Sequence, residues 1–407
     1  MNKVRLAVKA VIACQMAMLT ANAIAADDVL EEIVVTSTRQ VDSANRVPLA
    51  VTAQTQRQLD QKGVNTIRDI ALTTPSLRVS GQEAAGIATV AIRGVRQTSA
   101  TAATTGFYLD ETALQKRAAA GFASQNGTPV PPLFDLQRVE VLRGPQGTLF
   151  GGGSQGGTIR YIQPQPSLTD FSAYGRSQYI TTEDGDPTYE GGIAVGGPII
   201  EDKLGFRASV FSRHTGGYID LTDFRNGQVY QKNANDGDTK MSRIALSWAA
   251  TDSSLLTFSY FKSIDEMGDL SRASSLDIPG VLTVPSLCYD VAALSALPQG
   301  NPARSNPAAF AAGPDCAGRA DDPGVYITPG YTVGPLDLDD FQLLALGPSP
   351  TRAELDVASL DFQWQVRDDL ELRAITSWVD DFNKGISPQN FHQGLTSYRT
   401  AGSAVYV

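Results

Sequence analysis

The segment Leu204-Gly205-Phe206-Arg207-Ala208-Ser209-Val210-Phe211-Ser212-Arg213 alternates with a period of two. Leu204, Phe206, Ala208 and Val210 fall on one side, and Arg207 and Ser209 on the other. That period describes a β-strand with one apolar face. The pattern returns downstream. Ile244, Leu246 and Trp248 oppose Arg243, Ala245 and Ser247. Leu256, Phe258 and Tyr260 oppose Thr257 and Ser259. Leu360, Phe362, Trp364 and Val366 oppose Asp361, Gln363 and Gln365, and Leu370, Leu372 and Ala374 oppose Glu371 and Arg373.

The connections between these strands come in two lengths. Glu201-Asp202-Lys203, Thr251-Asp252-Ser253 and Arg367-Asp368-Asp369 are tight turns, whereas 214–239 and about 264–352 are long. Short turns alternating with long loops mark a transmembrane β-barrel of the outer-membrane type, short on the periplasmic side and long outside. A soluble sandwich rarely carries a loop so far beyond a dozen residues. About eight strands are expected from Phe171 onward. A mean hydropathy of −0.13 with 42% hydrophobic residues fits such strands, whose two faces average out, and fits a soluble protein equally. No stretch reaches the roughly 18 apolar residues of a membrane helix. A net charge of −10 argues against a nucleic-acid partner, since no basic field recruits phosphates.

Upstream, residues 41–163 read as a small α/β domain. Gln54 to Lys62 is a short helix closed by Gly63. Asn65 is the expected cap of a second helix, in which Ile67, Ile70 and Ala71 share a face and which Pro75 stops. Strands are expected at Thr89–Arg93, Phe107–Leu109 and Val139–Leu142, and a Gly/Ala-rich loop at about 116–132. Gly151-Gly152-Gly153-Ser154-Gln155-Gly156 matches G-x-G-x-x-G, but a dinucleotide site needs a helix next, and Thr158 to Ile162 reads as a strand. No nucleophile elbow, zinc signature or phosphate loop is present, so the reading is not an enzyme, with no cofactor and no metal.

Lys3, Arg5 and Lys9 precede a short apolar run from Ala10 to Thr20, and Ala21-Asn22-Ala23-Ile24-Ala25 has A-x-A spacing. This is the layout of a secretory signal peptide over residues 1–25, too short to span a bilayer. A lipoprotein signal ending at Cys14 would leave almost no apolar run after Lys9. Residues 26–40 then form a polar tether containing Glu31-Glu32-Ile33-Val34-Val35-Thr36. Its β-branched run is a short strand awaiting a partner, by addition to a sheet edge, or the first strand of a domain. Without Cys14 the chain keeps Cys288 and Cys316, and an even count in an exported protein favours a disulfide between them. His214 and His392 lack metal-ligand spacing.

Several stretches resemble the TonB-dependent receptors of the Gram-negative outer membrane: Val47-Pro48-Leu49-Ala50-Val51, Ala91-Ile92-Arg93-Gly94-Val95, Tyr108-Leu109-Asp110 and, above all, Val139-Glu140-Val141-Leu142-Arg143-Gly144-Pro145-Gln146-Gly147-Thr148-Leu149-Phe150-Gly151. The resemblance implies a plug (41–163) inside a barrel (164–407), and a TonB box at Glu31, Glu32, Ile33, Val34, Val35 and Thr36 that binds a TonB-type inner-membrane energy-coupling protein. It implies that Arg93 and Arg143 pair with carboxylates of the barrel wall; read from the residues alone, two exposed surface arginines are the favoured reading. Two positions depart from the family pattern. Asp110-Glu111 replaces the usual Asp-Gly, which weakens the expected turn, and Gly152-Gly153 makes the loop after Phe150 more flexible.

The function so implied is active uptake of a scarce small ligand, most often a ferric siderophore in this family, by a protein seated among outer-membrane lipids. The same architecture importing a glycan or cobalamin is the first rival. An exported β-rich binding protein without transport is the second. Residues 164–407 supply 244 residues, and eight strands cannot enclose a plug, so the expectation is a partial barrel.

Overall fold

The computed structural model describes residues 34–36, 42–43, 46–80, 89–96, 103–114, 130–223, 228–268, 282–284, 287–290, 325–328, 331–333, 342–345, 350–387 and 394–406. The signal peptide, Glu31, Glu32, Ile33, Cys316, His392 and most of the Gly/Ala-rich loop lie outside these residues.

β1 (Val34–Val35) pairs antiparallel with β2 (Asp42–Ser43). β3 (Ala50–Thr55) leads into α1 (Gln56–Gln61) and α2 (Ile67–Thr73). Both helices open with a capping box, Thr55 with Gln58 and Thr66 with Asp69. The second cap is Thr66 and not Asn65, because Thr66 stands three residues before Asp69; the Asn65 N–H donates to the same carboxylate. For the same reason the first helix begins after Thr55, two residues later than its sequence suggests. β4 (Leu77–Ser80), β5 (Thr89–Ile92) and β6 (Val95–Arg96) make a small antiparallel sheet. Arg93 and Gly94 form its two-residue turn with φ of 53° and 79°, a primed hairpin geometry.

β7 (Thr105–Leu109), β8 (Thr112–Ala113), β9 (Arg138–Arg143), α3 (Gly147–Phe150) and β10 (Gly157–Ile162) complete the plug. Its central sheet has the order β3-β9-β10-β7-β8, parallel between β10 and β7 and antiparallel elsewhere. Leu59, Ile67, Ile70, Ile92, Val139 and Ile159 belong to its core. A strand follows Gly156, so the glycine-rich run does not open a helix. Gly151 and Gly153 both have positive φ, and the Gln146 N–H donates to the Ser154 carbonyl across this loop, which therefore closes as a tight turn.

The wall begins with β11 (Ser172–Ile180), β12 (Thr188–Ile200) and β13 (Leu204–Thr215). After the short β14 (Asp220–Asp223) and β15 (Val229–Gln231) come β16 (Gly237–Thr251) and β17 (Ser254–Met267). The long connection carries β18 (Leu282–Val284), β19 (Leu287–Asp290), β20 (Val325–Thr328), β21 (Tyr331–Val333) and β22 (Gln342–Ala345). β23 (Thr351–Arg367), β24 (Leu370–Ser387) and β25 (Gly394–Tyr406) finish the chain. Among the described residues, eight strands form one open antiparallel sheet in the order β11-β12-β13-β16-β17-β23-β24-β25, the number the alternation implies. The registers put all three tight turns at one end and the long connections at the other.

The wall's alternation is inverted relative to a soluble sheet. Ile244, Leu246 and Trp248 are 48%, 36% and 51% exposed, whereas Arg243, Ala245 and Ser247 are buried against the plug side. Only a hydrocarbon solvent stabilises an outward apolar row of this kind. Trp248 and Trp364 sit three residues before tight turns, where an aromatic girdle meets the interface.

Candidate functional site

The tether joins the plug through Thr36, and every polar atom of that residue is engaged. The Thr36 N–H donates to Glu140 Oε1 at 3.0 Å. Its carbonyl and hydroxyl oxygens each accept from Arg160 Nη1 at 2.8 Å. Arg138 Nη2 adds a bond to the hydroxyl at 3.2 Å. Behind this contact Arg160 pairs with Glu140 at 2.8 Å and with Glu111 at 2.6 Å, and Arg138 pairs with Glu140 at 2.7 Å. Strand register creates the cluster: Arg160 lies directly across from Glu140, and Arg138 shares the Glu140 face two residues away. The Arg160 and Glu140 side chains are fully buried. Two arginines against two carboxylates leave no net charge, which is what makes their burial tolerable.

Glu111 reaches this cluster because its turn is firm. β7 and β8 join through Asp110 and Glu111 alone, and Asp110 takes φ of 51°, which Asp tolerates. The Asp110 N–H donates to the Tyr161 carbonyl, and its carboxylate accepts from the Gln163 N–H at 2.7 Å. The turn that the missing glycine was expected to weaken is therefore held by β10. Burial pushes the Asp110 carboxyl up to about 6, opposed by the neighbouring Arg243 and the Gln163 N–H. A cavity of about 300 Å³ adjoins Thr36, Glu111 and Arg138, and Thr257, Ser259 and Asp361 of the wall form its far side.

A second group of contacts seats the plug on the wall. Phe134 stacks on Phe211 at 5.0 Å between centroids and packs on Tyr174 at 5.2 Å, with the Arg176 guanidinium 5.6 Å from its ring centre. Gly192 opens the wall for this ring, since a Cβ there would stand 2.5 Å from Phe134 Cζ. Next to it Arg207 holds the Asp135 carboxylate with two donors, Nε at 3.0 Å and Nη2. Arg176 and Tyr174 grip Asp60 at 3.2 and 2.9 Å.

The residues singled out from sequence fall in different places. Val34, Val35 and Thr36 lie together beside the Glu140–Arg160 cluster, which clamps the tether at Thr36. Arg93 is exposed on its turn, with its guanidinium over Gly144, where a Cβ would meet Nη1 at 2.8 Å. Arg143 is half-buried at the end of β9. Two ion pairs that cross from plug to wall join wall arginines to plug carboxylates: Arg176 and Arg207 of the wall meet Asp60 and Asp135 of the plug. The backbone of Cys288 lies in β19 opposite Ile327, and the disulfide with Cys316 falls outside the described residues. Glu111, Arg138, Glu140 and Arg160 went unread in the sequence. Their signal was an Arg-x-Glu pair inside an apolar strand, with one further arginine in the strand beside it.

These features define a class: a small α/β plug seated against the polar face of a membrane-type β-wall. Residues 43–158 match the TonB-dependent receptor plug domain. A 138-residue stretch is 30% identical to the pesticin receptor of Yersinia pestis, covering 34% of this chain and 19% of that protein. A 130-residue stretch is 28% identical to the vitamin B12 transporter of Vibrio vulnificus, covering 32% and 20%. Among solved structures, a mutant ferric enterobactin receptor of Pseudomonas aeruginosa superposes with a TM-score of 0.54 at 13% identity, over 92% of this chain and 47% of that one. The P. aeruginosa ferripyoverdine receptor bound to ferripyoverdine gives 0.50 at 16%, over 89% and 46%. At such identities the structural likeness concerns the fold. The matched stretches span about a fifth of the curated relatives and just under half of these solved structures. Residues 43–158 are thus a TonB-dependent receptor plug domain, of a family of outer-membrane receptors of Gram-negative bacteria.

Proposed function

We propose that this chain acts in active uptake of a scarce nutrient, with a ferric siderophore as the leading ligand class. The observation that carries this reading is the tether: a short strand, Val34–Val35, stands outside the central plug sheet, and the residue after it, Thr36, is hydrogen-bonded to the plug. An extended segment placed so can be taken up as an added strand by an inner-membrane energy-coupling protein of the TonB type. Residues 26–40 are then the coupling tether, with Glu31, Glu32, Ile33, Val34, Val35 and Thr36 as its box. Arg93 and Arg143 are proposed to contribute plug-to-barrel ion pairing, and Cys288 and Cys316 a disulfide in the long loop. The ligand class is supported by neighbours named for ferric siderophores. The cobalamin reading is favoured by the likeness to the vitamin B12 transporter.

Two measurements test this. Val34→Pro removes a backbone donor from the box and is expected to abolish uptake while ligand still binds to cells. Uptake equal to the parent would remove the box assignment. Uptake of radiolabelled ferric siderophores and of cobalamin, compared in a strain lacking the receptor and a complemented one, assigns the ligand class.

A further inference from the structure

We infer that Glu140, Arg160 and Arg138, braced by Glu111, are positioning residues that keep the coupling strand docked and withheld from a partner. The inference rests on the reading of Val34–Val35 as that strand. It begins from the hydrogen bonds of Thr36. The N–H, carbonyl and hydroxyl of this one residue take four bonds from three buried charged side chains. The residue before it, Val35, is fully buried and already paired with β2. A partner that adds a strand to Val34–Val35 can draw the segment outward only after Thr36 leaves the cluster.

Leaving is opposed by what stays behind. Arg160 donates through Nη1 to Thr36 twice and to Glu140 once, and through Nη2 to Glu111, while its buried Nε has no hydrogen-bond partner. Without Thr36, a fully buried guanidinium loses two more acceptors, and Glu140 loses a charge-assisted donor. Unmade bonds at buried charged groups are the costly kind. The docked state is thus favoured by the cluster itself, without any ligand. The adjoining cavity of about 300 Å³ reaches Thr36, Glu111 and Arg138. It gives water a route to the vacated donors and acceptors, so release can be reversible. Glu111 matters because it supplies the second carboxylate. Without it, two buried arginines share Glu140 alone, and Glu140 also serves the Thr36 N–H.

The test reads docking directly, in isolated outer membranes without the inner-membrane partner, so it is independent of uptake. A Val34→Cys reporter is placed in a Cys288→Ser, Cys316→Ser background, and its rate of modification by a hydrophilic thiol reagent is measured. Adding Thr36→Pro, which deletes the N–H that Glu140 accepts and the hydroxyl to which Arg160 and Arg138 donate, and leaves the ion pairs intact, is expected to raise the rate about tenfold or more, at least the scale of one hydrogen bond to a charged group. Glu140→Gln is expected to do the same, Glu111→Gln to give a smaller rise, and Thr36→Ser, which keeps all the bonding atoms, to leave the rate unchanged. Trypsin resistance of the plug shows whether Glu140→Gln has unfolded it; if it has, Thr36→Pro decides alone. An unchanged rate in Thr36→Pro, or a Thr36→Ser variant as fast as Thr36→Pro, overturns the inference. A failed Val34→Pro uptake test would instead remove the partner reading and leave the docking result standing.

Discussion

The plug sheet and the wall share a period of two, but the plug strand buries both rows where the wall buries only its polar one. In β9 the first five residues are all buried, the charged Arg138 and Glu140 included, because strands and helices cover both faces. In β16 the burial alternates, with Arg243, Ala245 and Ser247 turned in and Ile244, Leu246 and Trp248 turned out. Alternation identifies two faces. The solvent on each side determines which one is inside. Charge follows the same division. The plug's arginines Arg138 and Arg160 neutralise carboxylates within the plug, whereas the wall's arginines Arg176 and Arg207 reach across to carboxylates of the plug.

The joint between the two regions offers the largest effect. Phe134→Ala empties the pocket among Tyr174, Phe211 and Arg176 that Gly192 makes room for. It is expected to cost about 3–5 kcal/mol, the range for a buried Phe truncation. Loss of plug docking, scored by protease release of plug fragments from the solubilised receptor, is the readout. A digestion pattern equal to the parent would mean that Phe134 does not anchor the plug.

A smaller effect tests the inversion itself. Ile244→Arg places a charge on the outward face and Ala245→Arg places one on the inward face, one residue apart. On the lipid side the cost is roughly 2–4 kcal/mol near the midplane. The Ile244 variant is expected to insert poorly, read as lost heat-modifiable migration on a gel. Ala245→Arg should disturb plug packing with insertion retained. The opposite ranking would refute the assignment of the outward face to lipid.

The sequence showed the wall better than the plug's site. Leu204 to Val210 and its successors announce strands because each alternates alone, and the tight turns at 201–203, 251–253 and 367–369 are local. The helix caps were legible to within two residues, and the miss at Asn65 came from two polar residues in a row competing for one capping role. The clamp was hidden for a different reason. Thr36, Glu111, Glu140 and Arg160 lie up to 124 positions apart, and only register across β7, β9 and β10 brings them together. Val139 to Leu142 was read as an apolar strand beginning one residue after Arg138, which removed half of the Arg-x-Glu signal from view. The barrel partners expected for Arg93 and Arg143 rested on resemblance, and no local pattern could name them.

The smallest predicted effect is a pH dependence at Asp110, where plug and wall meet. Burial lifts its carboxyl from 3.8 to about 6, with Arg243 and the Gln163 N–H pulling it down and Glu111 adding a smaller upward push. The folded state therefore holds this proton more tightly than the unfolded chain does. By linkage the Asp110 contribution is most favourable below about pH 4, falls as pH rises from about 4 to about 6, and is level above that. Asp110→Asn keeps an oxygen to accept the Gln163 N–H at 2.7 Å and has no charge to desolvate. The variant is expected to match the parent near pH 4 and to exceed it by roughly 1–3 kcal/mol at pH 7. Urea midpoints of the solubilised receptor at pH 4, 5, 6 and 7 measure the difference. Curves that stay parallel would show that Asp110 keeps an ordinary carboxylate. A variant weaker than the parent at pH 7 would show that its charge on Arg243 outweighs the burial it suffers.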